Sequence, residues 1–177
     1  MSSMSPIETK RTIVRCYTIE DAYLLKDAID SSLSNLQKRL PRSLQEPETI
    51  QKKEERLGKY IKNFDDFNLD FCYGIFSKDD SMQLWAIWVH HRVWPNTVEI
   101  WYRIRNSHLW KWYMTEVVEA LIPIIFENLS ISEIQIHTWV DNTISAKIPK
   151  KLWFTKSEDL INKDDWKDHI VWSLLRT

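Results

Sequence analysis

The sequence predicts an α+β (mixed α/β) fold with one central sheet, and three observations support this prediction. Three stretches of strand-like residues follow one another, separated only by turns. An apolar stretch with helical spacing comes next, and the strand pattern after it is expected to lie parallel to an earlier strand. Two further strand patterns end the chain. The resulting order, β-α-α-β-β-β-α-β-α-β-β, is typical of a mixed sheet flanked by helices.

The bulk composition is that of a globular protein. The chain has 177 residues, of which 44% are hydrophobic and 28% are charged, so it is long enough to bury a substantial core. We expect a disordered tail over residues 1–10 and one domain over residues 11–177. No apolar run approaches the roughly 18 residues that would indicate a membrane span.

Charge and cysteine usage narrow the choice of compartment and partners. A net charge of −1 gives no electrostatic reason to expect a nucleic acid or an anionic membrane as partner. The first residues lack the apolar core of a signal peptide. Cys16 and Cys72 fall in predicted strands, where buried thiols are commoner than disulfides. We therefore predict a cytoplasmic protein without membrane or nucleic acid partners, and we expect a monomer or a homodimer.

The first half of the chain is predicted to form one strand and two helices. Residues 11–17 are rich in β-branched side chains and favour a strand. Thr18 and Asp21 have the spacing of a helix cap, and apolar residues then recur at helical intervals as far as Leu36. A second helix is predicted over residues 47–64, since a proline at a helix start is favourable.

The second half is predicted to be mostly strand. The remaining strands are expected over residues 69–77, 83–91, 97–105, 133–140, 154–157 and 168–175. An apolar helix over residues 115–129 separates the third and fourth of these strands. A short helix over residues 143–152 separates the fourth from the fifth.

Residues 107–116 join a predicted strand to the apolar helix. Such a junction can hold an anion, because the first N–H groups of a helix lack acceptors inside it and the helix dipole is positive there. Loops of this kind usually carry glycines, which adopt positive φ angles and let the backbone approach a phosphate closely. Here Trp110 and Trp112 stand where glycines are expected.

Four stretches of the sequence resemble known motifs. They are Glu99-Ile100-Trp101-Tyr102, Trp110-Lys111-Trp112-Tyr113-Met114-Thr115-Glu116, Asn142-Thr143-Ile144-Ser145 and Lys151-Leu152-Trp153-Phe154. They are similar to E-I-G-Y, G-K-G-Y-x-T-E, N-x-x-S and K-L-G-F of the GNAT superfamily of N-acetyltransferases, in its ribosomal-protein serine/alanine acetyltransferase branch. The resemblance extends over residues 11–175, and it implies a GNAT-like fold with a single central mixed sheet flanked by helices.

The chain departs from the family pattern at its glycines. Tryptophan stands at four glycine positions of the motifs and at three others where glycine is common in that branch. These positions are Trp101, Trp110, Trp112 and Trp153, with Trp85, Trp88 and Trp94 in the second group. The chain has 2 glycines and 10 tryptophans, whereas average usage would give about 12 glycines. We infer a glycine-to-tryptophan pattern rather than unrelated substitutions.

The resemblance also implies where a cosubstrate binds. Acetyl-CoA would lie in a splay between the strands at 97–105 and 133–140. The main chain of Arg103, Ile104 and Arg105 would pair with its pantetheine arm.

Two further motifs would hold the remaining parts of acetyl-CoA. The N–H groups of the loop would bind the pyrophosphate, aided by the dipole of the following helix. The loop residues concerned are Leu109, Trp110, Lys111, Trp112, Tyr113 and Met114. Asn142 and Ser145 match the N-x-x-S motif and would lie near the thiol end of the cosubstrate.

The reaction implied by the family is direct attack of a primary amine, of a protein N-terminus or a small molecule, on the thioester. It needs a base for the ammonium proton and a donor to the leaving thiolate. Glu99 is the candidate base, and Ser145 is the candidate acid. Two plainer interpretations stay open, since strand glutamates are often solvated or paired across strands. Asn142 and Ser145 also lie where ordinary helix caps occur.

Three other features of the sequence could indicate a different function: the histidines, a charged run and the exposed tryptophans. Metal binding is not expected, because His90 and His91 point to opposite faces of a strand and the other histidines lack partners at zinc-type spacing. The charged run over residues 52–56 is predicted to be a solvated helix face. Exposed tryptophans could stack on bases or sugars.

The last alternative is a non-catalytic protein of the same fold. Its CoA site would be impaired by Trp110 and Trp112, and it would act as a binding module. Indoles at crowded glycine sites cost roughly 1–3 kcal/mol each through overpacking.

Overall fold

The computed structural model describes residues 6–39, 46–65, 70–91, 96–162 and 168–176. The strands are β1 (Ile7–Glu8), β2 (Thr12–Cys16), β3 (Asp70–Ser77), β4 (Gln83–His90), β5 (Thr97–Ile104), β6 (Glu133–Trp139), β7 (Thr155–Asn162) and β8 (Asp168–Leu175). The helices are α1 (Ala22–Asp30), α2 (Leu33–Arg39), α3 (Ile50–Asp65), α4 (Tyr113–Asn128) and α5 (Thr143–Lys151). Short 3-10 turns lie at Ile19–Asp21 and Asn106–His108.

The strands form one mixed sheet in the order β1-β2-β3-β4-β5-β6-β8-β7. The predicted fold class is therefore confirmed, including the parallel strand that returns after the apolar helix. The chain consists of two compact units, residues 1–87 with 103–111 and residues 88–102 with 112–177.

The first unit is built on antiparallel strands and the helices that follow them. β2 pairs with β1 and, from Thr12↔Ser77 to Cys16↔Tyr73, with β3. α1 and α3 pack together. Leu57 of α3 and Phe76 of β3 are fully buried, so this unit has its own apolar core.

The second unit contains the parallel strand pair, helix α4 between its two strands and helix α5 after it. β6 lies beside β8 along its full length, antiparallel, from Glu133↔Leu175 to Trp139↔His169. α4 buries an apolar face that includes Val118 and Leu121, and it contacts α5. This helix is apolar enough to bury most of its inner face, as its sequence predicted.

Part of the predicted tail is ordered. Residues 1–5 lie outside the described residues, but Ile7–Glu8 form strand β1, and Ile7 is buried. The prediction of disorder is wrong for these two residues, because a two-residue edge strand is too short to leave a periodic pattern in the sequence. The extent of the single domain, 11–177, stays a prediction.

The helix predicted from the cap to Leu36 is divided into two helices. The cap itself forms, since the N–H of Thr18 donates to the Asp21 carboxylate (2.8 Å). The break falls at Ser31 and Ser32, where the Ser31 hydroxyl donates to the carbonyl of Ala28 (3.0 Å). Serine side chains compete in this way for backbone groups and end helices.

Candidate active site

Strands β5 and β6 separate partway along their length. Their parallel ladder runs from Thr97↔Glu133 to Ile100↔Ile136 and ends there, although β5 continues to Ile104 and β6 to Trp139. We call the end of this ladder the fork. An extended ligand with amide groups can pair with strand main chain beyond the end of a ladder, as an added strand would. The fork thus lies where the family resemblance places a splay.

Arg105 is held on the β4 side of β5. Its main-chain N–H donates to the carbonyl of Leu84 (2.9 Å). Its buried guanidinium donates to the Gln83 carbonyl (2.5 Å), the Ser31 hydroxyl (3.0 Å) and the Asp27 carboxylate (2.6 Å). Successive residues of a strand direct their N–H groups to opposite edges. The main-chain N–H of Arg105 therefore points to β4, and the main chain of Ile104 points to the opposite edge of β5.

Arg103 is partly buried and lies beside an aromatic ring. Its guanidinium carbon lies 6.0 Å from the centroid of the Trp85 ring, within range of a cation–π contact. Burial lowers the pKa of Arg103 to about 10, while the charge of Tyr60 opposes this shift and that of Arg56 adds to it. The side chain thus stays cationic at neutral pH.

The loop before α4 has the backbone of a glycine-containing turn. The φ angles are 66° at Trp110 and 62° at Trp112, a region that costs residues with a Cβ about 1–2 kcal/mol. Trp112 is the N-cap residue, and Tyr113 and Met114 begin the helix. The two indoles are 60% and 50% exposed. The backbone here is therefore one that glycine adopts freely, with the side chains directed to solvent.

Two of the predicted pyrophosphate-binding residues make other contacts. The N–H of Leu109 donates to Asn106 (3.2 Å), and the carbonyl of Lys111 accepts from Arg11 (2.8 Å). The first-turn N–H groups of α4 have no acceptor inside the helix. In that turn the hydroxyl of Thr115, which the sequence analysis did not select, is buried and has no hydrogen-bond partner among the described residues. An orphaned polar atom at the positive end of a long helix fits an anionic group, so this segment suits a pyrophosphate.

Asn142 and Ser145 are fixed together at the start of α5. The Asn142 side chain accepts a hydrogen bond from the N–H of Ser145 (3.2 Å), so it caps the helix. The Ser145 carbonyl accepts from the Tyr102 hydroxyl (3.1 Å). Burial raises the pKa of Tyr102, which keeps this phenol protonated, although the bond to Ser145 opposes the shift. Tyr102 therefore links β5 to the helix of the N-x-x-S motif, a contact that sequence reasoning missed.

Glu99 is buried, with only 3% of its surface exposed. It lies opposite Gln135 in the parallel ladder, one residue before the fork. Its Oε1 lies 3.4 Å from Nδ1 of His137. The interpretation of Glu99 as a solvated strand residue is wrong, whereas its role as a base stays a prediction. His137 is a second ionisable group beside it, and it was considered in the sequence only as a metal ligand.

The other tryptophans of the pattern fall into two groups. Trp153 (φ 64°) and Trp85 (φ 148°) also have positive φ angles, as expected of glycine positions. Trp88 and Trp101 instead lie in strands, with ring centroids 4.8 Å apart. Trp94 lies outside the described residues. Backbone conformation thus supports the glycine-to-tryptophan pattern at four positions, counting Trp110 and Trp112.

Across the described residues, no group of three or more histidine, cysteine or acidic side chains is placed to hold a metal ion. Within those ranges, no helix has both the length and the apolarity needed to cross a bilayer.

Comparison with known proteins places the chain in a family. Its sequence matches the family model for the acetyltransferase (GNAT) domain over residues 11–155. Among curated proteins, none matches this sequence.

Several solved acetyltransferase structures share the fold. One is the ribosomal-protein-S5-alanine acetyltransferase from Vibrio fischeri, with 20% identity, a TM-score of 0.80 and 96% of each chain covered. A second is RimL, ribosomal L7/L12 alpha-N-protein acetyltransferase, in complex with coenzyme A (16% identity, TM-score 0.82, 97% of this chain and 98% of that one). A third is MccE, the microcin C7 self immunity acetyltransferase, in complex with acetyl-CoA and AMP. It has 16% identity and a TM-score of 0.81, with 99% of this chain and 100% of that one covered.

These likenesses are in fold, and the match to the family model is in sequence. The family model covers most of the chain, from the first predicted strand to the end of the last family motif. Ribosomal-protein alanine and N-terminal acetyltransferases, the branch that the motifs indicated, are among the structures with this fold. The chain therefore belongs to the acetyltransferase (GNAT) domain family.

Proposed function

We propose that this chain transfers the acetyl group of acetyl-CoA to a primary amine, on a protein N-terminus or a small molecule. The fork between β5 and β6 carries the proposal, because it opens a parallel ladder beside a buried carboxylate. Structures of the same fold contain coenzyme A or acetyl-CoA. A primary amine suits this chemistry, because it supplies both the nucleophile and the protons that are released.

Different residues would bind acetyl-CoA and transfer the protons. The main chain of Ile104 would pair with the pantetheine arm, whereas that of Arg103 faces β4, as that of Arg105 does. The first turn of α4 would bind the pyrophosphate through its N–H groups and the Thr115 hydroxyl. Acetyl-CoA supplies the activated acyl group, Glu99 takes the ammonium proton, and Ser145 donates to the departing sulfur.

We also propose a cytoplasmic location and a monomer or homodimer. Cys16 and Cys72 are both free thiols, which suits a reducing compartment. Sedimentation of the purified chain measures the oligomeric state directly.

Calorimetric titration with acetyl-CoA tests the proposal on two proteins, the chain itself and the double variant Trp110→Gly, Trp112→Gly. We expect the double variant to bind at least tenfold more tightly, because glycine removes the indoles from the loop at no cost in backbone strain. The double alanine variant is the matched control. It removes the indoles but keeps a Cβ at both left-handed positions.

Transfer is measured as thiol release from acetyl-CoA with peptides that begin with serine or alanine and with small amines. Thiol release that depends on an added amine supports the proposal. Binding without transfer to any amine would indicate a non-catalytic binding module. Absence of acetyl-CoA binding by both proteins would reject an acetyl-CoA-dependent function for this fold.

A further inference from the structure

Glu99 and His137 face each other at the fork. The ladder between β5 and β6 ends at the pair Ile100↔Ile136. Glu99 comes directly before this pair in β5, and His137 comes directly after it in β6. Their side chains are each 4% exposed, and the carboxylate Oε1 lies 3.4 Å from the imidazole Nδ1. Ionisable groups removed from water to this extent need a partner for their charge.

A chain of hydrogen bonds continues from the far side of the imidazole. Nε2 of His137 lies 2.8 Å from Oε1 of Gln135, and Nε2 of Gln135 donates to Oε1 of Glu133 (2.9 Å). The other oxygen of Glu133 accepts from the Thr97 hydroxyl (3.2 Å). Burial alone would raise the pKa of Glu133, but hydrogen bonds from Ser173, Gln135 and Thr97 outweigh it and lower that pKa. Glu133 is therefore an anion at neutral pH.

This anion fixes the orientation of each group in the chain. A carboxylate only accepts hydrogen bonds, so the Gln135 amide turns its NH₂ group to Glu133 and its oxygen to His137. That oxygen also only accepts, so Nε2 of His137 carries a proton. A neutral imidazole has one N–H, and Nδ1 therefore directs a lone pair at the carboxylate of Glu99. Two acceptors in contact repel each other unless a proton lies between them.

We propose that Glu99 and His137 form a one-proton dyad that serves as the general base of the acetyl transfer, with Gln135 and Glu133 as positioning residues. This inference rests on the proposed function. The dyad first releases its shared proton to solvent, and it then takes one proton from the substrate ammonium through a water molecule. The amine nitrogen then bonds to the acetyl carbon, and the carbon–sulfur bond breaks. Ser145 donates its proton to the sulfur and takes the second amine proton in its place. The dyad again holds one proton, so the products are the amide, the CoA thiol and the proton released to solvent.

The dyad suits the reaction better than an isolated carboxylate would. A glutamate ordinarily has a pKa of about 4.3 and a histidine of about 6.5, and a base is most effective when its pKa is near the working pH. In the proposed dyad the imidazole is the stronger base of the two groups, and its ordinary pKa is the nearer to neutral pH. By strand alternation, the other ionisable groups on this face of β5, β6 and β8 are Arg103, Glu133 and His169.

Long-range ¹H–¹⁵N NMR of the histidine rings tests the dyad without any activity assay. The chain has 5 histidines, and the spectrum of His137→Gln assigns the ring of interest. We expect the Nε2–H tautomer for neutral His137, and we expect Glu99→Gln to lower the pKa of His137 by about one unit or more. The Nδ1–H tautomer, or an imidazole pKa that Glu99→Gln leaves unchanged, would overturn the proposal even if the protein is an acetyltransferase.

The pH profile of kcat/KM separates this role from a purely structural one. We expect His137→Gln to move the acid limb at least about one pH unit lower, toward the value of an isolated glutamate. The KM for acetyl-CoA should change less than twofold. His169→Gln, on the same face but outside the chain of bonds, is the matched control and should leave the limb in place. A His137→Gln variant that loses activity equally at all pH values would contradict the dyad.

Discussion

Trp153 ends α5 in a backbone conformation that is costly for tryptophan. Its φ angle is 64°, and the N–H of the next residue, Phe154, donates back to the carbonyl of Pro149 (3.0 Å). This pattern closes many helices, and it usually has glycine at the left-handed position. The indole is 88% exposed, so it recovers little of the strain through burial.

We therefore expect Trp153→Gly to raise the free energy of unfolding by about 1 kcal/mol, the cost of a left-handed residue with a Cβ less the entropy of glycine. Urea denaturation measures the change. Trp153→Ala is the control, because it removes the indole and keeps the Cβ. Equal stabilisation by alanine would show that the indole, and not the backbone, is unfavourable.

Gly74 is one of the two glycines of the chain, and it lies in β3 where no side chain fits. A Cβ at this position would lie 2.6 Å from Cζ of Phe76 and 3.0 Å from Cε1 of Tyr17. We expect Gly74→Ala to lower the free energy of unfolding by about 1–3 kcal/mol through overpacking.

The other glycine provides a matched control for this prediction. Gly58 lies in α3, and a Cβ there would meet only Cδ1 of Ile19, at 4.0 Å. Gly58→Ala should raise the stability by about 0.5–1 kcal/mol, since alanine favours a helix interior. Thermal or urea unfolding of the two variants measures both changes in stability. Two substitutions of the same sign would contradict the packing argument.

At the scale of an element, α3 begins in a buried ionic cluster. Lys53 is fully buried, so the prediction that the run 52–56 is a solvated face is wrong at this residue, although Lys52 and Glu55 are exposed. Its ammonium pairs with the carboxylates of Glu46 and Glu48, and Arg56 pairs with the same two groups. Buried charges of this kind persist only when they are paired.

The cluster predicts how stability depends on pH. Burial alone would raise the pKa of Glu48, but the hydrogen bond from Lys53 and the charge of Arg56 outweigh it and lower that pKa below 4.5. A carboxyl with a lowered folded-state pKa contributes stability above its unfolded value, and this contribution is lost as the pH falls through the folded value. The free energy of unfolding should therefore decrease as the pH drops below about 4.5.

Glu48→Gln checks this assignment by urea unfolding between pH 3 and 7. We expect lower stability at pH 7, because Lys53 and Arg56 lose a partner, and a shallower decline in acid. Glu55→Gln, which changes an exposed carboxyl of α3, serves as the control. An equally steep acid decline in Glu48→Gln would show that other carboxyls cause it.

Most elements could be predicted because their patterns are local. Strand alternation and helical spacing located β3 to β6, α4 and α5 within a few residues. The break at Ser31 and the strand at Ile7 could not be located in the same way. The first depends on side-chain bonds to the backbone, and the second is fixed by pairing with β2.

The candidate site shows the same division between local and distant causes. Motif spacing identified Glu99, Asn142 and the loop before α4, and the positive φ angles at Trp110 and Trp112 agree with the glycine positions inferred there. Alternation indicates which face of a strand a residue lies on, but it does not indicate depth. The burial of Glu99 and its contact with His137 therefore required the packed sheet. The orphaned hydroxyl of Thr115 also becomes visible only after folding.

For the whole molecule, burial decides which tryptophans cost stability. Trp85 has a φ angle of 148° but is only 3% exposed. Removing a buried indole costs about 3–5 kcal/mol, and glycine would relieve only about 1–3 kcal/mol of backbone strain. Trp85→Gly should therefore destabilise the protein, although its backbone also favours glycine.

Trp110, Trp112 and Trp153 combine positive φ angles with at least 50% exposure. Replacing all three by glycine should raise the free energy of unfolding by about 3 kcal/mol if their strain terms add. For a chain of this size, that gain corresponds to an increase in Tm of about 6–12 °C. Calorimetry of the triple glycine variant, beside the triple alanine variant, measures it. A Tm no higher than that of the alanine variant would show that the loop and helix end tolerate tryptophan without strain.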